Sequence, residues 1–310
     1  MAYESSQGWV ALTIIGFLSG LLAAMVGIAT DWMTDVKHGI CSLDRGWWLT
    51  KEVCCADAGP GGCENWLSWH GFLVNDADAS TLLLVTYATY IAAAVIMAVL
   101  SSFMVVSLAP YAAGSGISEM KVILGGFVIK KFLGVLTLLV KSVGLILSVG
   151  AGMNVGKEGP FVHTSACCAN VVSRFFPKYR SNEAKKRELL SCAAAAGVAV
   201  AFGAPIGGVL FSLEEVSTYF PVKTMWRAFY CAMVAAISIS SLNGLSGKLV
   251  MFEITYHHKW HLFELIPFSL IGIAGGAIGA LIIRANASVC SFRRTSKLKQ
   301  ARQTLQHATH

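Results

Sequence analysis

A glutamate set among glycine and proline residues separates two apolar runs of this sequence. Glu158 lies in the stretch Gly156-Lys-Glu-Gly-Pro160, between apolar runs at residues 133–153 and 161–176. An ionisable side chain at membrane depth is costly, and such residues mark ion pathways and proton relays. A helix N-terminus attracts negative charge through its unpaired N–H groups and its dipole. The carboxylate of Glu158 can therefore occupy the same site as a permeating anion.

Protonation gives Glu158 a specific chemistry. The neutral acid would leave the positive end of the helix, an anion would take its place, and anion passage would then depend on pH. The alternative is a carboxylate that only caps the helix that follows it. The motif alone leaves both interpretations open.

Two further stretches punctuated by glycine or proline open or precede apolar runs. They are Gly114-Ser-Gly-Ile-Ser-Glu119 and Phe202-Gly-Ala-Pro-Ile-Gly-Gly208. Two helix N-termini that converge at the middle of a membrane would bind an anion without a buried full cation. Small residues let the backbone approach the ion, and the hydroxyl of Ser115 can add a hydrogen-bond donor.

A pair of acidic residues offers a route for protons. Glu214 and Glu215 follow the apolar run 205–213, near a predicted cytoplasmic helix end. Neighbouring residues on a helix point about 100° apart, so one carboxylate can face inward while the other faces solvent. An inward-facing carboxylate would pass protons from the cytoplasm toward Glu158. A solvated carboxylate at a helix end is the alternative.

The composition is that of a polytopic membrane protein. Of the 310 residues, 55% are hydrophobic and 13% are charged, and the mean hydropathy is +0.63, outside the range of an ordinary soluble domain. The net charge of +7 comes from basic residues gathered at 178–187 and 293–302. The positive-inside rule assigns both clusters to the cytoplasm. We therefore expect membrane lipid, and no nucleic acid, as a partner.

The apolar pattern also predicts the order of elements. Spanning helices at 8–36 and 81–108 enclose a polar, non-cytoplasmic loop at 38–80. Between residues 114 and 176 the runs are short and interrupted, which favours half-helices that meet at mid-membrane. The remaining expected segments are helices at 188–202, 205–220 and 224–242, a glycine-rich helix at 262–290, and a basic cytoplasmic tail at 291–310. The membrane domain is thus predicted at residues 1–290.

Four cysteines share the polar loop, namely Cys41, Cys54, Cys55 and Cys63. They would form disulfides if the loop faces a lumen or the exterior. A zinc site is the alternative, although the paired spacing of a zinc motif is missing. The other cysteines lie in apolar stretches, where we expect small buried hydrophobic side chains: Cys167, Cys168, Cys192, Cys231 and Cys290.

Three other candidates carry weaker chemistry. Gly114 and Gly116 lack the third glycine and the preceding strand of a dinucleotide loop. His257, His258 and His261 could bind a metal, but exposed loop histidines are more typical. Lys141 lies in an apolar run, where a lysine snorkels or pairs, and the sequence shows no evident partner.

The longer motifs resemble those of the CLC chloride channels and chloride/proton exchangers, and they look closest to the endosomal exchanger branch. The similarity covers nearly the whole chain. It rests on these stretches: Trp32-Met-Thr-Asp-Val-Lys37, Lys157-Glu-Gly-Pro160, Phe176-Pro-Lys-Tyr179, Asn182-Glu-Ala-Lys-Lys-Arg-Glu188 and Ala201-Phe-Gly-Ala-Pro-Ile-Gly-Gly-Val-Leu-Phe-Ser-Leu-Glu-Glu215.

The resemblance implies roles for individual residues. Ser115 would coordinate the central anion and select chloride over nitrate. Glu158 would be the gating glutamate that alternates with chloride, and Glu215 would transfer protons from the cytoplasm. A carboxylate at Glu215 is characteristic of the exchangers in the family. Taken with the half-helix argument, we expect chloride to be bound by Ser115, Gly116, Ile117, Gly156, Lys157, Glu158 and Gly159.

The resemblance further implies an all-α membrane protein with the CLC-type fold, of which this chain would be the first of two inverted repeats. The expected activity is voltage-dependent chloride/proton antiport, by a transporter rather than an enzyme. Chloride is the substrate ion, the proton is the coupled ion, and no cofactor or metal is expected. The family implies a homodimer in endosomal or lysosomal membranes, with the plasma membrane as the alternative.

Two features depart from the family pattern. Ser118 stands where the family motif has proline, and a serine there can still cap a helix. By comparison with the family, we expect this sequence to lack the second membrane half and the cytoplasmic CBS domains. A truncated chain that does not transport but associates with full-length partners is therefore an alternative. A chloride channel is a further alternative, which Glu215 disfavours.

Overall fold

The structure, a computed structural model, describes residues 2–42, 46–55, 63, 65–69, 79–217, 221–242 and 261–295. The chain divides into two compact units, at residues 1–252 and 253–310. Four described helices are long and apolar enough to cross a membrane. They contain the segments Ser6–Val36, Thr81–Leu108, Val222–Leu242 and Leu262–Phe292. The chain is a multi-pass membrane protein, as its composition predicts.

The first unit is mostly helical. Its helices are α1 (Ala2–Val36), α2 (Lys51–Cys54), α3 (Ala79–Leu108), α4 (Ile117–Leu124), α5 (Val135–Gly150), α6 (Glu158–Ser173), α7 (Pro177–Arg180), α8 (Glu183–Phe202), α9 (Pro205–Phe211) and α10 (Val222–Leu242). A 3₁₀ turn (Pro110–Ala112) and a π-helical turn (Ser212–Val216) join some of them. The second unit holds a 3₁₀ turn (Leu262–Glu264) and α11 (Leu265–Thr295).

Small residues let the helices of the first unit pack closely around α8. A Cβ added at Gly197 of α8 would lie 2.7 Å from the Cα of Val162 in α6. On the other side of the core, a Cβ at Gly20 of α1 would lie 2.6 Å from the Cβ of Ser238 in α10. Dispersion contacts and close backbone approach, rather than large apolar side chains, hold such membrane helices together.

The interrupted region forms half-helices, as its punctuation predicts. α4 has eight residues and α5 and α6 have sixteen each, which at 1.5 Å per residue makes them about 12 Å and 24 Å long. A bilayer core is about 30 Å thick. None of these three helices therefore reaches across it.

The predicted helix at 205–220 is wrong in its second half. α9 ends at Phe211, the chain continues as the π-helical turn, and the backbone is extended at Ser217. Ser191 of α8 contacts both ends of this turn. The carbonyl oxygen of Ser191 accepts a hydrogen bond from the hydroxyl of Ser212 (2.9 Å), and the hydroxyl of Ser191 forms a hydrogen bond with that of Ser217. These contacts at both ends favour the wider turn over a continuing α-helix.

The polar loop contains a feature that the all-α prediction did not include. Strand β1 (Gly39–Cys41) pairs antiparallel with β2 (Trp66–Ser68). Beside this ribbon, Cys41 bonds Cys54 and Cys55 bonds Cys63. The disulfide prediction is confirmed, and the zinc alternative is wrong because all four thiols are used in covalent bonds.

The remaining cysteines divide between confirmed and corrected predictions. Cys167, Cys168, Cys192 and Cys231 are buried as expected, whereas Cys290 of α11 is exposed, so the expectation of a buried side chain is wrong there. His261 is exposed and stacks on Phe263. His257, His258 and most of the tail at 291–310 lie outside the described residues, and the domain bounds stay a prediction.

Candidate anion-binding site

The N-termini of two half-helices meet in the structure. α4 begins at Ile117, and α6 begins at Glu158. Gly159, the second residue of α6, is buried against Ser115: a Cβ added at Gly159 would lie 2.6 Å from the Cβ of Ser115 and 3.2 Å from its Cα. Glycine permits this approach because it has no side chain. Two of the three stretches singled out in the sequence are thus brought into contact.

The start of α4 depends on two glycines in the left-handed conformation. Gly114 has φ 74° and Gly116 has φ 86°, a region that other residues rarely adopt. Gly116 is the N-cap of α4, and the N–H of Ile117 donates a hydrogen bond to the Ser115 hydroxyl (3.4 Å). The chain therefore turns sharply and leaves the Ser115 side chain exposed at the helix start.

His163 of α6 packs against this turn. A Cβ at Gly116 would lie 2.8 Å from Nδ1 of His163, so the turn rests on the imidazole ring. The ring is fully buried and stacks on Phe132, with centroids 3.9 Å apart, while Nε2 lies 3.0 Å from the Phe132 carbonyl oxygen. The sequence interpretation missed His163. The available signal was a polar ring in an apolar run, just after Glu158.

Glu158 lies at the positive end of α6. It is the first residue of the helix, and Lys157 is the N-cap. Its carboxylate folds back over Gly156, which offers no side chain to block it. Glu158 is exposed, and Lys157 is half-buried. The helix dipole and the free N–H groups of α6 stabilise negative charge here, whether it belongs to the carboxylate or to an ion.

A buried lysine holds the chain that leads into α4. Lys141 of α5 is 4% exposed, and its ammonium donates hydrogen bonds to the carbonyl oxygens of Ala112 (3.2 Å) and Gly114 (2.8 Å). These carbonyls are the partners that the sequence did not show. The site is therefore not built from helix ends alone, because a lysine lies next to the Ser115 turn.

A cavity of about 350 Å³ lies beside the turns that precede the two half-helices. Its lining includes Gly114, Ser115, Gly156, Pro160 and Lys141. The other residues predicted to bind chloride do not line it: Gly116, Ile117, Lys157, Glu158 and Gly159. A water molecule takes up about 30 Å³. The cavity can thus hold a small anion together with part of its hydration shell.

The sequence profile of the family described as voltage gated chloride channel matches residues 73–308, which is well over half of the chain. The chain belongs to this family, the CLC family. Among curated proteins, it is 48% identical to H(+)/Cl(-) exchange transporter 5 of Cavia porcellus over 95% of this chain and 40% of that protein. H(+)/Cl(-) exchange transporter 3 of Pongo abelii is also 48% identical, over 95% and 38%.

The chain spans about two fifths of the length of these curated relatives, which are named as exchange transporters rather than as enzymes.

Solved structures of CLC proteins align with the fold of this chain. A eukaryotic CLC transporter aligns with a TM-score of 0.65 and 25% identity, over 92% of this chain and 44% of that one. A cyanobacterial Cl-/H+ antiporter aligns with a TM-score of 0.62 and 22% identity, over 88% and 54%. The CLC-type fold is confirmed.

Ser118 does not cap α4 of this CLC chain. The N-cap is Gly116, and the Ser118 hydroxyl donates instead to the carboxylate of Glu119 (2.9 Å). The cap that a serine at this position could provide is therefore not formed. The left-handed turn, supported by Lys141 and His163, shapes the start of α4 in the absence of the family proline.

Glu215 lies on the π-helical turn, at the surface. Both Glu214 and Glu215 are exposed, and the Glu215 carboxylate lies 3.4 Å from the ammonium of Lys121, with the two side chains 54% and 49% exposed. Lys121 is about one and a half turns along α4 from Gly116. α4 thus carries the Ser115 turn at one end and contacts Glu215 near the other.

The third stretch has a packing role in the structure. α8 ends at Phe202, Gly203 follows in the left-handed conformation with φ 67°, and Pro205 opens α9. A Cβ at Gly208 would lie 3.2 Å from the Cβ of Ala199 in α8. This stretch reverses the chain so that α9 packs against α8.

Proposed function

We propose that this CLC chain forms the anion and proton pathway of a chloride/proton exchanger, or the first half of one. The contact between Gly159 and Ser115 carries the proposal, because it brings two half-helix N-termini together beside the Glu158 carboxylate. Chloride binds between the Ser115 hydroxyl and the backbone N–H groups of the two starts. The binding residues are Ser115, Gly116, Ile117, Gly156, Lys157, Glu158 and Gly159.

Glu158 and Glu215 couple chloride transport to proton transport. Ionised Glu158 occupies the anion site, and protonation removes it so that chloride can enter. Glu215, which is exposed and pairs with Lys121 of α4, takes protons from the cytoplasm. The names of the relatives, which are H(+)/Cl(-) exchange transporters, support antiport over a channel. Voltage dependence follows because the exchange of chloride for protons moves charge across the membrane. Each elementary charge that crosses gains or loses about 2.3 kcal/mol per 100 mV.

Flux measurements in reconstituted vesicles test this function. Glu215→Ala should abolish proton coupling and leave chloride flux, and Glu158→Ala should remove the pH dependence of chloride flux. Glu214→Ala is the matched control, since it removes a carboxylate from the same exposed turn. Unchanged proton coupling in Glu215→Ala would overturn the proton-transfer assignment. Chloride flux without proton flux in the unmodified protein would favour a channel.

The partner and compartment belong to the same proposal. Apolar side chains on α9 and α10 are exposed, among them Ile206, Leu210, Val222 and Trp226, and membrane lipid, a second copy of the chain or a full-length CLC subunit would cover them. Endosomal or lysosomal membranes are the proposed location, where the disulfide-bonded loop would face the lumen. Cross-linking in membranes and imaging of a tagged chain against compartment markers test these two points.

A further inference from the structure

The π-helical turn that carries Glu214 and Glu215 is fixed to the core at both of its ends. Ser212, its first residue, and Val216, its last, are both 0% exposed, whereas the two glutamates between them are exposed. Two buried ends leave the turn little freedom to slide along the protein. The direction of each carboxylate is therefore decided by how the backbone winds between these ends.

The turn is wider than an α-helical one. The N–H of Ser217 donates a hydrogen bond to the carbonyl oxygen of Ser212 (2.9 Å), five residues earlier, whereas an α-helical bond joins residues four apart. Successive residues of an α-helix point about 100° apart. The extra residue in the hydrogen-bonded loop therefore changes which of two adjacent side chains points toward a given part of the protein.

Ser191 of α8 holds this winding in place. Its hydroxyl lies 2.5 Å from the hydroxyl of Ser217 and 3.4 Å from that of Ser212, and its carbonyl oxygen accepts a hydrogen bond from the Ser212 hydroxyl. One residue thus contacts both residues that close the wide turn. Ser191 is 4% exposed, and a buried hydroxyl without a partner is costly. These contacts and the wide turn therefore stabilise one another.

The two carboxylates of the turn differ in what they meet. The Glu215 carboxylate lies 3.4 Å from the ammonium of Lys121 in α4. Among the residues that the structure describes, no cation lies within ion-pair distance of Glu214. The sequence alone left open which of the two glutamates turns toward the rest of the protein. The wide turn directs Glu215 toward α4.

We propose that Ser191 is a positioning residue for proton transfer. Its hydrogen bonds hold the π-helical turn so that Glu215, rather than Glu214, faces α4. The proposal rests on the proposed function, in which Glu215 takes up protons from the cytoplasm. Ser191 itself does not carry the proton, and it acts on Glu215 through the backbone of the turn.

A cross-linking experiment tests this geometry without a transport measurement. A water-soluble carbodiimide joins a lysine amine to a carboxylate in contact with it, and mass spectrometry of the digested full chain then identifies the linked residues. In the unmodified chain, Lys121 should be linked to Glu215 in preference to Glu214. Ser191→Ala should reduce this preference by roughly threefold or more, because a lost hydrogen bond shifts an equilibrium by about that factor.

Two further variants complete the cross-linking experiment. Ser217→Ala removes the same hydrogen bond from the other side and should reduce the preference as Ser191→Ala does. Ser173→Ala is the control: Ser173 is 1% exposed, and its hydroxyl donates to the Asn170 carbonyl oxygen (2.8 Å) within α6. The control should leave the preference unchanged. An unchanged preference in both Ser191→Ala and Ser217→Ala, or an equal loss in Ser173→Ala, would overturn the proposal.

Flux in reconstituted vesicles tests what the geometry does for transport. Ser191→Ala should lower the number of protons carried per chloride by roughly threefold or more, and chloride flux should be unchanged. A serine with only a structural role would lower both fluxes together, because less folded protein would be present. Ser173→Ala should keep the proton-to-chloride ratio of the unmodified protein.

The two experiments separate this proposal from the proposed function. If Ser191→Ala weakens the link from Lys121 to Glu215 but the proton-to-chloride ratio is unchanged, Ser191 positions the turn and Glu215 is not the proton-transfer residue. That outcome overturns the proposed function. If Glu215→Ala abolishes coupling while Ser191→Ala changes neither the cross-link nor the ratio, the proposed function stands and the role of Ser191 is overturned.

Discussion

Gly159 of α6 lies directly against Ser115, and a side chain at position 159 would collide with the Ser115 Cβ, 2.6 Å away. The start of α6 therefore lies in direct contact with the turn that leads into α4. Ser115 also lines the cavity that Lys141 lines. Binding at this site should therefore respond to the smallest change at position 159.

Gly159→Ala should weaken chloride binding by roughly tenfold or more, because the added methyl group must push the two half-helix starts apart. Isothermal titration of chloride into the purified protein measures the effect. Gly27→Ala is the control, since a Cβ at Gly27 of α1 meets nothing within 4 Å. The Gly27→Ala variant should bind chloride as the unmodified protein does. If the Gly159→Ala variant also binds chloride as tightly as the unmodified protein, the proposed site is contradicted.

Lys141→Met should lower both chloride affinity and stability. The substitution leaves the buried carbonyls of Ala112 and Gly114 without their donor, which costs about 1–3 kcal/mol, and removes an ammonium from the cavity wall. Lys37→Met is the control: Lys37 is also buried, and its ammonium lies 3.4 Å from the Tyr90 hydroxyl. Chemical denaturation and chloride titration should show lost stability in both variants but lost affinity only in Lys141→Met.

The pair formed by Lys121 and Glu215 should add little to stability. Both side chains are about half exposed, and such pairs contribute about 0–1 kcal/mol. Lys121→Ala should therefore change the free energy of unfolding by under about 1 kcal/mol, and added salt should reduce the change further. Its effect on proton flux should be larger than that of Lys185→Ala, whose partner is Glu188. Equal proton flux in the Lys121→Ala and Lys185→Ala variants would show that Lys121 has no role in proton transfer.

The disulfide between Cys41 and Cys54 should stabilise the loop after α1. Replacing both residues by serine should lower the free energy of unfolding by about 3 kcal/mol, the value for a closed loop of about this length. Cys290→Ser is the control because its thiol is free and exposed. Mass spectrometry of unreduced peptides should find the Cys41–Cys54 and Cys55–Cys63 links, and other links would contradict the described loop.

Local sequence signals predicted much of this structure. Glycine and proline marked the starts of α4 and α6, because they act on the backbone at their own positions. The helices at 8–36 and 81–108 followed from apolar length alone. The cysteine pairing was not predictable, since spacing permits several connectivities.

The contacts missed in the sequence join residues far apart in the chain. Lys141 bonds carbonyls nearly thirty residues earlier, and His163 lies under Gly116 through the packing of α6 on α4. The π-helical turn at 212–216 depends on Ser191 of α8. Periodicity describes one helix at a time, so it carries no information about such partners.

The central claim is that the Glu158 carboxylate and chloride compete for one site. Chloride titrations of the unmodified protein and of Glu158→Gln, over a range of pH, test it most directly. Lowering the pH should raise the chloride affinity of the unmodified protein, because protonation removes the competing charge. Glu158→Gln should bind chloride tightly at every pH. The same pH dependence in both proteins would contradict the account.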